Sequence, residues 1–308
     1  MENSATGDVI FTPIKLPCGR TVSNRLVKVA MYEHLADFLG GPPNEHHYAL
    51  YSNWAAFGWG MIITGNIQVS DRHLSLGRDV ILPKDLSKDN VQPFRRLAMS
   101  MRGSEDSGTL AIMQLSHAGR QSLNLIGGRL PFQPPLAPRP IRVASKGSGL
   151  ISNAIHTFAF QEPNEMSVKD IDDVVEAFIK GARVAFESGF DGIQLHAAHG
   201  YLLAQFMSTK SNKRKDSYSS HPNDALRLLQ RIVSAIRSYT SKDFVIGIKL
   251  NAADYVAHDN GDPNAYDRVL DHFRSIAQWN LVDFIEVSGG DYEKPGIYRP
   301  FCLPSKSY

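Results

Sequence analysis

An α/β fold of parallel strands, of the (β/α)8 TIM-barrel type, is what the sequence predicts, and three observations predict it. Short strand-length runs alternate with helix-period stretches from about residue 25 onwards, the pattern of parallel strands joined by crossover helices. The strand runs are apolar without polar alternation, as expected of strands covered on both faces. A polar or aromatic residue sits at or just past the end of nearly every strand: Tyr32, Asn66, Gln114, His196, Lys249 and Ser288. In a parallel barrel these positions meet at one mouth, where barrel enzymes keep their active sites. An open doubly wound sheet would instead favour one switch point with a Gly-rich first turn. The candidate glycines for that turn, Gly58 and Gly60, precede their strand.

The strands are expected at Leu26–Met31, Met61–Gly65, Thr109–Met113, Gly192–Leu195, Phe244–Ile248 and Phe284–Val287. The clearest helix runs from Val168 to Ser188, with Ile171, Val174, Val175, Phe178 and Ala182 at helical spacing. Ser167 is its N-cap and Asp170, three residues on, makes an acidic variant of the capping box. Met166 and Ile171 are placed for a hydrophobic staple, and Gly189 is the natural stop. Further helices are expected at Glu45–Phe57, Val91–Arg102, Asn223–Arg237 and Tyr266–Trp279. Six strand–helix units thus fill Leu26 to about Gly290, and two more would need on the order of 80–90 residues. The expectation is an incomplete barrel of six units, the last two missing, in one domain over residues 1–308. Within it, residues 1–24 form an N-terminal segment capping the barrel, and 291–308, with three prolines and no helical period, an irregular tail. Residues 116–166 form a long lid-like connection holding Pro131, Pro134, Pro135, Pro138 and Pro140. A loop of that length is a lid, a binding loop or a surface insertion.

Composition narrows the function classes. The 308 residues carry 33 Lys plus Arg against 31 Asp plus Glu, a formal charge of +2 with no basic stripe for a nucleic-acid backbone. Charged residues at 21% and aromatics at 9% are those of a folded globule. Two cysteines, Cys18 and Cys302, stand near opposite ends and give neither a disulfide framework nor a cysteine zinc site. The polar start, Met1 to Asp8, lacks the apolar core of a secretory signal, and no apolar run is long enough to cross a bilayer. A cytoplasmic protein acting on a small molecule, without nucleic-acid or membrane partners, is expected. The open strand edges of a partial barrel invite association into a homo-oligomer.

The densest cluster of chemistry is His196, His199 and Tyr201, on the turn leaving the fourth strand. Two imidazoles three residues apart on such a turn admit three readings. A zinc site is one, although the metalloprotease motif needs a Glu after the first His and four-residue spacing, where this chain has Ala197 and three. Two structural histidines satisfied by neighbouring carbonyls are another. The third is a pair of N–H donors gripping one substrate oxygen, where negative charge develops, with Tyr201 delivering a proton to a neighbouring carbon.

The run Gly189-Phe-Asp-Gly-Ile-Gln-Leu-His-Ala-Ala-His-Gly-Tyr-Leu-Leu-Ala-Gln-Phe206, followed by Asn212-Lys-Arg-Lys-Asp-Ser-Tyr218, closely resembles the motif of the old yellow enzyme family of FMN-dependent NADH:flavin oxidoreductases. Asn24 to Met31, Ile63 to Asn66, Met113 to Arg120, Ile248 to Asp254 and Glu286 to Gly290 agree in the family's order, so the likeness covers about residues 10 to 293. The resemblance implies a barrel with FMN across its mouth, reduced by NADH or NADPH, with hydride then passed to an electrophilic alkene. It implies that His196 and His199 bind the substrate's carbonyl or nitro oxygen and that Tyr201 donates the proton; with no third ligand near the histidines, no metal is expected. It places Gln114 at the flavin's pyrimidine edge and the backbone of Ala30, Met31 and Asn66 along the ring. Lys249 stands where many relatives have Arg, a point donor instead of a fork. The basic run Lys210 to Lys215, otherwise readable as a targeting patch, becomes part of a segment in which Arg214 and Asp216 pair. The resemblance is nearest to fungal members, some of which tailor secondary metabolites such as polyketide mycotoxins.

Several positions depart from the family pattern. Tyr32, a cofactor-binding position by the resemblance, replaces a small Thr, Ser or Cys whose side chain touches the flavin carbonyl, and the larger phenol either reaches too far or reshapes the pocket. Ser219, Ser220, Asp224 and Ala225 replace two glycines and an Asn-Arg. The missing seventh and eighth units hold the FMN phosphate in the family. These departures leave two alternatives open: a flavin-free acid–base enzyme (an isomerase or cyclase) using the same donors, or an inactive truncated remnant.

Overall fold

The computed structural model describes residues 9–104, 107–144, 150–252 and 265–290. Six parallel strands form its centre: β1 (Val27–Lys28), β2 (Met61–Ile63), β3 (Leu110–Ser116), β4 (Gly192–Ala197), β5 (Val245–Asn251) and β6 (Phe284–Ser288). They pair in chain order, β1 with β2 through to β5 with β6. The helices are α1 (Glu45–Ala55), α2 (Lys88–Arg102), α3 (Leu150–Ala159), α4 (Val168–Glu187), α5 (Leu202–Met207), α6 (Arg227–Tyr239) and α7 (Ala265–Gln278). The irregular tail expected over 291–308 lies outside the described residues. Among the described residues no helix is long and apolar enough to cross a membrane.

The strands divide their side chains by parity. On β3, Ala111, Met113 and Leu115 face outward into the main core with Ile171, Phe178 and Ala182 of α4. Leu110 and Ile112 face inward, in a second cluster with Met61, Ile63 and Val245, against which Ala30 and Phe284 pack. Side chains from both ends of the strand order thus meet in one cluster, which a flat sheet cannot achieve. The sheet is curled into the greater part of a barrel.

Helix α4 starts as expected. Ser167 and Asp170 exchange the capping-box bonds, Met166 and Ile171 are both buried, and Gly189 beyond the end has φ +79°, a backbone conformation that suits glycine. Gly181 lets α4 approach the sheet: a Cβ there would lie 2.8 Å from Leu115. Residues 116–166 are more structured than a loop. They hold a 3-10 turn at Gly119–Gln121, α3, and a two-residue strand, Leu136–Ala137, paired with Asn164–Glu165 so that the connection closes on itself.

Two buried carboxylates lock the floor of the barrel. Asp191, just before β4, accepts from the Ala111 backbone N–H of β3 at 2.9 Å and pairs with Arg102 at 2.9 Å and Arg20 at 3.4 Å. Asp283, just before β6, accepts from the Ile246 N–H of β5 at 2.7 Å, from Arg237 at 2.7 Å and from the Cys18 N–H at 2.8 Å. Arg20 and Cys18 belong to the loop of a hairpin pairing Ile14–Lys15 with Thr21–Val22, and Val22, Leu16 and Cys18 join the inner apolar cluster. The hairpin is therefore tied to the floor of the barrel. Replacing Asp191 by Asn removes the charge that two guanidiniums and a strand amide share, and is expected to cost about 2–3 kcal/mol. Asp243→Asn breaks an exposed pair with the same Arg20 and should cost at most about 1 kcal/mol. Urea unfolding midpoints of the two variants measure the contrast.

Candidate active site

The upper inner face of the curled sheet is polar where the lower is apolar. Continuing the parity of Leu110 and Ile112, β3 presents Gln114 and Ser116. Strand β4 presents Gln194 and His196, β5 Lys249 and Asn251, and β6 Glu286 and Ser288. Register sets His196 beside Lys249 and Lys249 beside Glu286. All six strand-end residues predicted from sequence lie at this C-terminal end of the sheet.

His199 and Gly200 carry the chain out of β4 in a tight turn, with φ +55° and +73°, closed by the Tyr201 N–H donating to Ala198 O at 3.2 Å. Histidine is among the few L-residues enriched in the left-handed region. The turn is held from both sides: the His199 N–H donates to Asn251 at 3.3 Å, and Gln121 of the connection donates to the His199 carbonyl at 2.8 Å. Tyr201 then begins α5, its ring edge-on to His196 at 4.7 Å between centroids. The two imidazoles and the phenol are thus gathered by one turn.

The histidine protons follow from the hydrogen bonds. His196 Nδ1 accepts from the Ala198 N–H at 3.3 Å, which leaves its proton on Nε2, 3.2 Å from His199 Nδ1. His199 then carries its proton on Nε2 and donates to Ser288 Oγ at 2.8 Å. Burial pushes both imidazoles down, His199 to about 4 and His196 well below its ordinary value, and nearby Lys249 adds to the effect. Both are neutral at pH 7. In the resting geometry the pair bonds to itself, where the sequence reading has both donors meeting at one substrate oxygen. Because the Ser288 hydroxyl both donates and accepts, His199 can move its proton to Nδ1.

The other predicted residues are placed as follows. Ala30 borders the inner apolar cluster, Met31 is half exposed, and Asn66 is buried just past β2. Gln114 donates through Nε2 to Gln194 Oε1 at 2.6 Å, and Lys249 Nζ lies 2.9 Å from Glu286 Oε1. The Tyr32 hydroxyl is buried near Asp79 and Tyr201, and its burial pushes the phenol pKa up. Arg214 pairs with Asp216 and also donates to Met166 O at 2.6 Å, clamping the end of the connection. Gln194, Glu286 and Glu33 were missed by sequence reading. Glu33 accepts from the Tyr51 hydroxyl and from the Gly65 N–H at 2.9 Å, fixing the backbone just before Asn66. Among the described residues no group of three or more His, Cys, Asp and Glu is placed to hold a metal ion.

The model of the NADH:flavin oxidoreductase / NADH oxidase family matches residues 9–291. The chain belongs to that family. It is 40% identical over 296 residues to the NADH-dependent flavin oxidoreductase iliE of Neonectria sp. (strain DH2), covering 96% of this chain and 37% of that protein. It is 37% identical to the iliE protein of Hypocrea jecorina (strain QM6a), covering 96% of this chain and 71% of that protein. Among solved structures, an old yellow enzyme homologue from Zymomonas mobilis superposes with a TM-score of 0.75 at 21% identity, over 93% of this chain and 77% of that one. The 2-naphthoyl-CoA reductase–2-naphthoyl-CoA complex gives 0.78 at 21% identity, over 96% and 43%. These likenesses show the barrel fold.

FMN is the cofactor that membership implies, and the residues at the mouth fit its ring. The Ser116 hydroxyl, on the same face as Gln114, is buried without a hydrogen-bond partner among the described residues, an orphan that a bound polar ligand would satisfy. Lys249, Gln114 and His196 add an ammonium, a carboxamide and an imidazole N–H on three neighbouring strands.

The histidine values carry a pH signature. A histidine neutral in the folded state at pH 4–6.5 but protonated when unfolded makes the unfolded state the better proton acceptor, so stability falls as pH drops through that range. His47, also held down to about 4 by burial, contributes in the same sense. Thermal melts from pH 7 to 4 should show this loss, and His199→Gln should reduce its slope.

Proposed function

We propose that the chain is the flavin-binding part of an FMN-dependent oxidoreductase that passes hydride from NADH or NADPH, by way of the flavin, to an activated alkene or a similar electrophile. The observation that carries the reading is the gathering of His196, His199 and Tyr201 on one turn above a polar wall made by Gln114 and Lys249, in a member of the flavin oxidoreductase family. When bound, FMN supplies the hydride acceptor and donor.

The protein's own groups do the rest. Neutral His196 and His199 offer N–H donors to a carbonyl or nitro oxygen, and because burial keeps them neutral they carry no imidazolium proton to transfer. Hydrogen bonds preorganised at the atom where negative charge grows act most strongly in such a buried site. Tyr201, on the same turn, is the proton donor to the neighbouring carbon. Lys249 and Gln114 would face the pyrimidine edge of a bound flavin, and the backbone of Ala30, Met31 and Asn66 would line its ring. Tyr32 is the residue most able to set substrate shape, since its phenol stands beside Tyr201. A cytosolic place in fungal secondary metabolism belongs to the same proposal, and what supports its fungal part is the likeness to NADH-dependent flavin oxidoreductases of Neonectria sp. and Hypocrea jecorina.

The purified chain supplied with FMN should be yellow and should bleach anaerobically with NADH or NADPH. A chain that stays colourless in excess FMN would remove the reading. Tyr201→Phe should slow reoxidation by an activated alkene by about 10²–10⁴-fold while leaving flavin reduction within a few-fold. Stopped-flow measurement of the two half-reactions separates the outcomes, and equal slowing of both would take Tyr201 out of the proton-donor role.

A further inference from the structure

The cation and the amide at the mouth are not independent. Glu286 on β6 places Oε1 2.9 Å from the Lys249 ammonium and accepts through Oε2 from Gln194 Nε2 at 2.8 Å. Gln194 in turn accepts from Gln114 Nε2 at 2.6 Å. One carboxylate therefore anchors a belt running Lys249–Glu286–Gln194–Gln114, over strands β5, β6, β4 and β3. The Lys249 and Glu286 side chains are 7% and 17% exposed, so water screens this charge pair poorly. Gln194 bridges the belt because its amide accepts on one side and donates on the other. With the carboxylate fixing the donor end, the Gln194 oxygen must face Gln114, and Gln114 must present its N–H₂ to it.

We propose that Glu286 is a positioning residue for the flavin edge: it holds Lys249 in place, cancels part of its charge, and fixes the orientation of Gln114 through Gln194. This rests on the reading of the site as an FMN site. It assigns to β6 a control over the reduction potential that neither Lys249 nor Gln114 exerts alone. An ammonium half-neutralised by its neighbour stabilises the added negative charge of the reduced flavin less than a free one. Removing the carboxylate should therefore make the flavin easier to reduce.

The test is the two-electron potential of FMN bound to the full chain, measured against a reference dye. Glu286→Gln keeps the shape and the bond from Gln194 but loses the charge. The reduced form should gain at least about tenfold, a positive shift of about 30 mV. Lys249→Met should shift the potential the other way. In the Lys249→Met background Glu286→Gln removes only the carboxylate's own field at the flavin. A positive shift clearly smaller than in the unmodified chain therefore supports action through Lys249, and an equal shift overturns it. If Glu286→Gln does not fold, Glu286→Asp, which withdraws the carboxylate by one methylene, should give a smaller shift of the same sign. Bound flavin with an unchanged or more negative potential in the variant overturns the role of Glu286 and leaves the flavin reading standing. Failure of the unmodified chain to bind FMN overturns both.

Discussion

Side-chain alternation along the parallel strands is the constraint on which the rest of this structure depends. A slip of β4 by one residue would turn Ile193 and Leu195 into the mouth and send Gln194 and His196 under the helices. The carboxylates of Asp191 and Asp283 resist such a slip. Each stands one residue before its strand and receives a backbone N–H from the neighbouring strand. Both are charged, buried and held by guanidiniums from another element, so sliding the strand would strand a carboxylate without donors. The register that presents the histidines at the top is thus secured at the bottom.

The same alternation divides the barrel interior into two storeys. Below, Met61, Ile63, Leu110, Ile112 and Val245 make an apolar floor, and the Phe284 ring fills the space that a Cβ on Gly247 would need. Above, every inward position of β3 to β6 is polar. Polar groups facing a closed interior must bond to one another or to a ligand. The four-residue belt from Lys249 to Gln114 meets that demand from within, while Ser116 is left to meet it from outside. The apolar floor, packed and anchored by the N-terminal hairpin, is what allows the upper storey to be spent on chemistry.

Much of this was legible in the sequence, for physical reasons that differ by element. The six strands were found because buried parallel strands read as apolar runs, and each lies within a few residues of its expected place. The ends were less legible. Helix α2 begins at Lys88 although the apolar period starts at Val91, since its polar first turn carries no such signal. Likewise β3 and β5 run on to Ser116 and Asn251 because hydrogen bonding continues into polar residues at the mouth. Gln194 and Glu286 went unread as site residues because each stands inside an apolar strand run, and only the parity of the neighbouring strands shows that they face Lys249 and Gln114. Glu33 was hidden for a different reason: its partners, Tyr51 and Gly65, come from an outer helix and the next strand end. The structure within residues 116–166 was masked by prolines, which mark breaks in a chain but not the short pairing that Leu136–Ala137 makes with Asn164–Glu165.

The neutral state of the two imidazoles gives the site its character. A charged pair beside Lys249 would place three cations in one buried pocket, which desolvation and mutual repulsion forbid. Neutrality makes each ring a donor on one nitrogen only, so direction has to be assigned by the surroundings. Ala198 assigns it for His196, by occupying Nδ1 with a backbone N–H that cannot be reversed. Ser288 assigns it for His199 with a hydroxyl that can. One histidine is therefore fixed and the other adjustable: with Ser288 accepting, the pair closes on itself, and with Ser288 donating, both N–H groups can point at a guest oxygen. A backbone donor on one ring and a rotatable hydroxyl on the other let an empty site satisfy its own hydrogen bonds without giving up the ability to bind.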